Sequence, residues 1–140
     1  MYLLDTNVIS ELRKAKSGKA NENVVQWGQN VPTAGLFLSV ITVLELDIGV
    51  KLIERRDKKQ GAMLRAWLDD YVLPAFQSRI IPIDTSVALC CADLHVPDPR
   101  SDRDALIAAT ALTHKMTVVT RNTDDFKHMG VQLIDPWKKS

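Results

Sequence analysis

Tyr2-Leu3-Leu4-Asp5-Thr6-Asn7-Val8-Ile9 decides how the rest of the chain is read. The stretch opens as a buried strand, sets a carboxylate where the apolar run stops, and returns to apolar residues within a few positions. In open α/β sheets the carboxyl ends of interior parallel strands face the crevice where ligands bind, so Asp5 is placed to line it. Desolvating such a charge unpaired costs on the order of several kcal/mol, and a cation is one way to stabilise it.

The same pattern extends outward from this segment. Residues 1–4, 36–40, 79–83, 116–120 and 132–134 read as short strands. Between most of them lie amphipathic stretches at 8–14, 23–30, 42–55, 58–72, 86–95 and 104–115, with a short helix after Thr123. Strands alternating with helices predict an α/β fold with a central, mainly parallel sheet covered by helices. Pro74, Pro97 and Pro99 mark breaks. The polar stretches 13–20 and 97–101 read as loops too short to divide domains. With 140 residues, 46% hydrophobic and 25% charged, the chain reads as one domain over 1–140 whose core needs no disulfide or structural metal.

Eighteen basic residues balance 17 acidic ones for a net charge of +1, so no general positive field draws nucleic acid and any such contact is local. The basic run Lys51, Arg55, Arg56, Lys58 and Lys59 reads as a solvated helix end. Cys90 and Cys91 are adjacent with no second pair, which predicts buried thiols rather than a disulfide framework or zinc site. No apolar run approaches the roughly 20 residues needed to span a bilayer. The first residues lack a secretory pattern, so cytoplasmic residence and no membrane partner are expected.

Three further positions stand out. Glu45 falls in the stripe Ile41, Leu44, Ile48 and Leu52 and is expected to point inward. Thr42-Val43-Leu44-Glu45 also fits a capping box, whereas Ser39 offers another cap that leaves Glu45 available to a site. Asp47 lies off the stripe and reads as solvated. Asp104 opens a nearly all-apolar helix and shares a face with Ala108 and Ala111, while Asp102 points elsewhere and fits a cap. Asn122 follows the strand Val118-Val119-Thr120, where it either turns the chain or joins the site; Asp124 and Asp125 fit helix caps. Thr6, Ser39 and Thr120 end strands and either cap helices or hold water and phosphate oxygens.

Asp5, Glu45 and Asp104 are expected to converge at one sheet edge, where mutual repulsion raises their pKa values unless cations bind. Mg2+ or Mn2+ suits such oxygen donors. His95, His114 and His128 lack a ligand spacing, which argues against zinc.

Four segments in order, Leu3-Leu4-Asp5-Thr6-Asn7-Val8-Ile9-Ser10, Ser39-Val40-Ile41-Thr42-Val43-Leu44-Glu45-Leu46, Asp104-Ala105-Leu106-Ile107-Ala108-Ala109-Thr110-Ala111 and Val119-Thr120-Arg121-Asn122, resemble a PIN domain of the VapC toxin type. The likeness runs to the closing Asp135-Pro136-Trp137 and is strongest to the FitB-like branch. The resemblance implies a three-layer α/β/α fold and a magnesium-dependent endoribonuclease, the toxin of a type II toxin–antitoxin pair. It implies Asp5, Glu45 and Asp104 as catalytic and metal-binding acids, an RNA substrate, a cognate antitoxin, operator DNA bound only through that antitoxin, and a homodimer. Asn122 completes the implied site but departs from the pattern, since family members often carry Asp there; Asp124 or Asp125 is the substitute to consider.

Two rivals belong beside this reading. A haloacid-dehalogenase-like phosphatase also starts with Asp at the end of its first strand, but its general acid two residues on is here Asn7. A non-catalytic PIN interaction module would use the acids to bind a basic partner segment, with Asn122 as a sign of decayed chemistry.

Overall fold

The computed structural model describes residues 1–139. Its strands are β1 (Tyr2–Leu4), β2 (Leu36–Ser39), β3 (Ile80–Ile81), β4 (Thr117–Val119) and β5 (Leu133–Ile134). They form one sheet in the order β3-β2-β1-β4-β5, and every described pairing is parallel. β1 is thus central, and its residues alternate between two cores as strand geometry requires. Leu3 faces a cluster with Ile81, Val118, Ile107, Ala108 and Phe126, whereas Leu4 faces one with Leu38, Val119, Val8, Leu46 and Leu68. Both Leu side chains are fully buried, each stabilising the fold by about 1.5–3 kcal/mol.

The helices covering these faces are α1 (Thr6–Leu12), α2 (Glu22–Asn30), α3 (Val40–Arg56), α4 (Lys58–Trp67), α5 (Leu73–Ala75), α6 (Thr85–Leu94), α7 (Asp102–His114) and α8 (Thr123–Phe126). The expected α/β class and the parallel sheet are therefore present. Several bounds differ from expectation for local reasons. α1 begins at Thr6 rather than residue 8 because Asp5 caps it, Oδ1 accepting the Thr6 N–H at 2.8 Å. α3 begins at Val40 because the Ser39 hydroxyl accepts the Ile41 N–H at 3.0 Å. α4 passes into a wider π-helical stretch, Leu68–Val72, before α5. Pro74 therefore sits inside a continuing helix rather than ending it, since the looser turn relieves the clash a proline ring makes with the preceding turn.

The phase of α3 corrects the sequence reading. Ile41, Thr42, Leu46 and Val50 are buried, while Leu44 and Leu52 are 45% and 60% exposed. The Thr42 hydroxyl donates to the Leu4 carbonyl at 3.5 Å, which turns the helix so that Leu46 and Val50 meet Leu4, Val8 and Val72. Glu45 consequently flanks the buried stripe instead of centring it. α4 packs back on α3 at Gly61, where a Cβ would stand 2.6 Å from the Glu54 Cα. α7 ends at His114 because Lys115 turns left-handed with φ of 58°. Cys91 is buried and Cys90 half-buried; both are free thiols. No helix among the described residues is long and apolar enough to cross a membrane.

Candidate functional site

β1 and β4 end side by side, joined by the Asp5 N–H donating to the Val119 carbonyl at 2.9 Å. This places Asp5 and Thr120 at the carboxyl edge of the two most interior strands, the ligand side of such a sheet. Asp5 is 6% exposed and Thr120 fully buried. Asp5 Oδ2 accepts the Thr120 hydroxyl at 2.8 Å and the Asn7 amide at 3.2 Å. Thr120 Oγ1 in turn accepts the Asn7 amide at 3.2 Å and the Asn122 N–H at 3.0 Å. The Asn7 carbonyl oxygen accepts the Arg121 N–H at 3.1 Å. One asparagine thus registers the β1 end against the β4 end, and Thr120 orients the carboxylate rather than capping a helix.

Glu45 reaches the same place from α3. The Thr6 hydroxyl donates to its Oε1 at 2.7 Å, and the Arg103 guanidinium lies 3.8 Å from Oε2. The capping-box alternative is not formed, since Ser39 holds the helix start and Glu45 bonds across to α1. Asp104 enters from the first turn of α7. Asp102, expected as the cap, is the first residue of that helix, with Ser101 preceding it. Its carboxylate is exposed and lies 3.7 Å from the His95 imidazole.

Asp5, Glu45, Asp104 and Asn122 all line one open cavity of about 430 Å³ together with Thr6, Asn7, Ser10, Glu11, Lys14, Arg121 and Trp137. All four residues singled out from sequence are brought together. Asn122 makes no side-chain cap bond to α8, so its amide is uncommitted to that helix. Of the neighbouring acids, Asp125 is close enough for its charge to act on Asp104, whereas Asp124 is exposed and pairs with Lys127 at 3.4 Å. Thr6 was read as either a cap or a holder of water and phosphate oxygens, whereas Asn7, Arg121 and Trp137 were not singled out as site residues. Thr6 and Asn7 adjoin Asp5 in sequence and carry a polar signal there; nothing local to Trp137 announces its position.

The electrostatics of the pocket are dominated by its buried and clustered carboxylates. Burial pushes the Asp5 carboxyl above its ordinary value, against the lowering effect of the Thr120 and Thr6 hydrogen bonds, and the Glu45 charge pushes it further. Asp104 is raised to about 6, first by burial and then by the charges of Asp5, Asp125 and Glu45. Among the described residues no group of three or more His, Cys, Asp or Glu side chains is gathered tightly enough to enclose an ion by itself. The oxygen donors of Asp5, Asp104, Glu45 and Asn122, with no thiol or imidazole on the wall, fit a hard divalent cation.

An α/β domain with an acidic pocket at the carboxyl edge of its central parallel strands is the class of protein that fold and site define. The family description "PIN domain" matches residues 2–132. Toxin FitB of Neisseria gonorrhoeae is 39% identical over 98% of this chain and 99% of its own length. VapC ribonuclease Y4jK of Sinorhizobium fredii is 37% identical over 99% of both chains. The solved structure of FitAB bound to an IR36 DNA fragment superposes with a TM-score of 0.90 at 36% identity, covering 100% of this chain and 98% of that one. The chain belongs to the PIN-domain family.

Proposed function

We propose that the chain is a magnesium-dependent endoribonuclease and the toxin of a toxin–antitoxin pair. The observation that carries the reading is the convergence of Asp5, Glu45 and Asp104, each on a different element, around one cavity where burial, and then the charges of Asp5, Asp125 and Glu45, lift the Asp104 pKa to about 6. The names toxin and VapC ribonuclease borne by the gonococcal and rhizobial relatives support it.

Asp5 and Asp104 would hold a divalent ion, Mg2+ or Mn2+, with Glu45 ligating through water or orienting the attacking water and the Asn122 carbonyl completing the set. Bound there, the ion supplies activation of water and stabilisation of charge on the phosphodiester. The chain's own residues hold geometry: Thr120 and Asn7 fix the Asp5 carboxylate, and Thr6 aims that of Glu45. No protein nucleophile is needed for this hydrolysis. A cognate antitoxin, operator DNA reached only through it, a homodimer and residence in the cytoplasm complete the proposal, the FitAB complex on DNA lending support for the first two.

The test is cleavage of RNA by the purified chain. Activity is expected to need added Mg2+ or Mn2+, to vanish with chelator, and to fall by about a thousandfold or more in Asp5→Asn. Cleavage unaffected by that substitution, in a preparation free of other nucleases, overturns the proposal. Asn122 is the observation favouring the rival interaction module, and magnesium binding without turnover on any RNA selects it.

A further inference from the structure

The acids Asp5, Glu11, Glu45 and Asp104 line the cavity, and Lys14 and Arg121 are the basic residues on its lining. The Lys14 ammonium pairs with Glu11 at 3.2 Å. Arg121, by contrast, forms no ion pair among the described residues, and its guanidinium lies 5.3 Å from the centre of the Trp137 ring. Two anchors fix this arrangement. The Arg121 N–H donates to the Asn7 carbonyl oxygen, the same side chain whose amide holds Asp5. Trp137 is tied by its N–H to Asp135 at 2.9 Å and by its carbonyl to the Asn23 amide at 2.8 Å.

A strand whose scissile phosphate reaches the acids brings further phosphates past carboxylates that repel them, and each needs a nearby cation. A guanidinium fork matches two phosphate oxygens, and the face of an indole holds it in place without consuming its donors. Resting on the nuclease reading above, we infer that Arg121, with Lys14 beside it, binds a phosphate adjoining the scissile one in single-stranded RNA. Trp137 is the positioning residue that presents Arg121, and Asn7 sets the spacing between the phosphate seat and Asp5.

The probe is a fluorescein-labelled single-stranded RNA of roughly 12 nucleotides and mixed sequence, within the size a single-strand groove covers. It is titrated in Mg2+ at several salt concentrations against the full chain in an Asp104→Asn background, so that it stays intact. Arg121→Gln is expected to weaken binding about fivefold or more and to reduce the slope of log affinity against log salt by about 0.7, the loss of one phosphate contact. Arg121→Lys is expected to keep the slope while weakening binding, and Lys14→Gln to shift both in the same direction as Arg121→Gln. Trp137→Leu should mimic Arg121→Gln, whereas Trp137→Phe should restore the parent affinity. Unchanged affinity and slope in Arg121→Gln overturn the inference; if Asp5→Asn still abolishes cleavage, the nuclease reading stands without it. A chain that neither binds the probe nor cleaves RNA loses both.

Discussion

Two regions of this molecule gather carboxylates, and they treat them in opposite ways. Between α3 and α4, Arg65 pairs with Asp47 at 2.6 Å, with Glu54 at 3.1 Å and with Asp69 at 3.4 Å, and Lys51 adds a second contact to Asp47. The Lys51 and Arg65 hydrogen bonds hold Asp47 below its ordinary pKa, and Arg65 does the same for Glu54. In the pocket the Asp5 and Asp104 carboxyls are shifted upward instead. The difference lies in who supplies the cation. The helical hairpin carries its own, whereas Asp5 is buried and Asp104 half-buried against like charge and Arg103 stands near Glu45. The hairpin cluster is matched by the chain's own cations; the pocket is where the proposed divalent ion would bind.

The strongest test of that contrast is activity. Asp104→Asn should lower RNA cleavage in magnesium by about a thousandfold, an effect of about 4 kcal/mol on the barrier, while Arg65→Gln should leave the rate unchanged. Gly61→Ala strikes the other region. A methyl 2.6 Å from the Glu54 Cα forces α3 and α4 apart, at a cost of about 2–3 kcal/mol read from the denaturant midpoint.

Stability against pH separates the regions by sign. The folded Asp104 value of about 6 lies above the ordinary 3.8. Its contribution is therefore complete below about pH 4 and is lost as pH rises through about 6. In chelator, Asp104→Asn should accordingly stabilise the fold at pH 7, by about 1 kcal/mol after allowing for solvent screening, and the gain should shrink toward pH 4. Asp47 and Glu54, shifted downward, contribute above their ordinary values of 3.8 and 4.5 and lose that contribution as pH falls further. The smallest effect is Arg65→Gln, which should lower the melting temperature by about a degree or two at pH 7 and flatten the acid limb, because such exposed pairs are weak. Melting curves of both variants from pH 3 to 8 would break the comparison if the two slopes shared a sign.

Much of this was legible from residue order. Asp5 announces itself by interrupting an apolar run, and Asp104 by opening a helix that is otherwise apolar, so the sheet edge and two of its acids follow from pattern alone. Glu45 was found for a reason that the structure revises: the stripe that drew attention to it is partly exposed, and its place in the pocket comes from the Thr6 hydroxyl. Asp47 was read as solvated because it lies off the apolar stripe, and its partner Arg65, on another helix 18 positions away, gives no signal in that pattern. The Thr120 bond to Asp5 joins positions 115 apart, the Asn7 bond to Thr120 joins positions 113 apart and the Asn7 bond to Asp5 closes a local turn, and no periodicity encodes such pairings. Pattern reports which face of an element is apolar; it is blind to hydroxyls and amides that lock one element to another.

The sheet has a consequence for self-association. Its outer members, β3 and β5, are two residues long each, so each rim offers too few open peptide groups to recruit a strand from another molecule. Neither rim can seed lateral stacking of one copy on the next. The proposed homodimer would therefore be held by side chains, where a substitution can tune it without touching the backbone ladder that fixes Asp5.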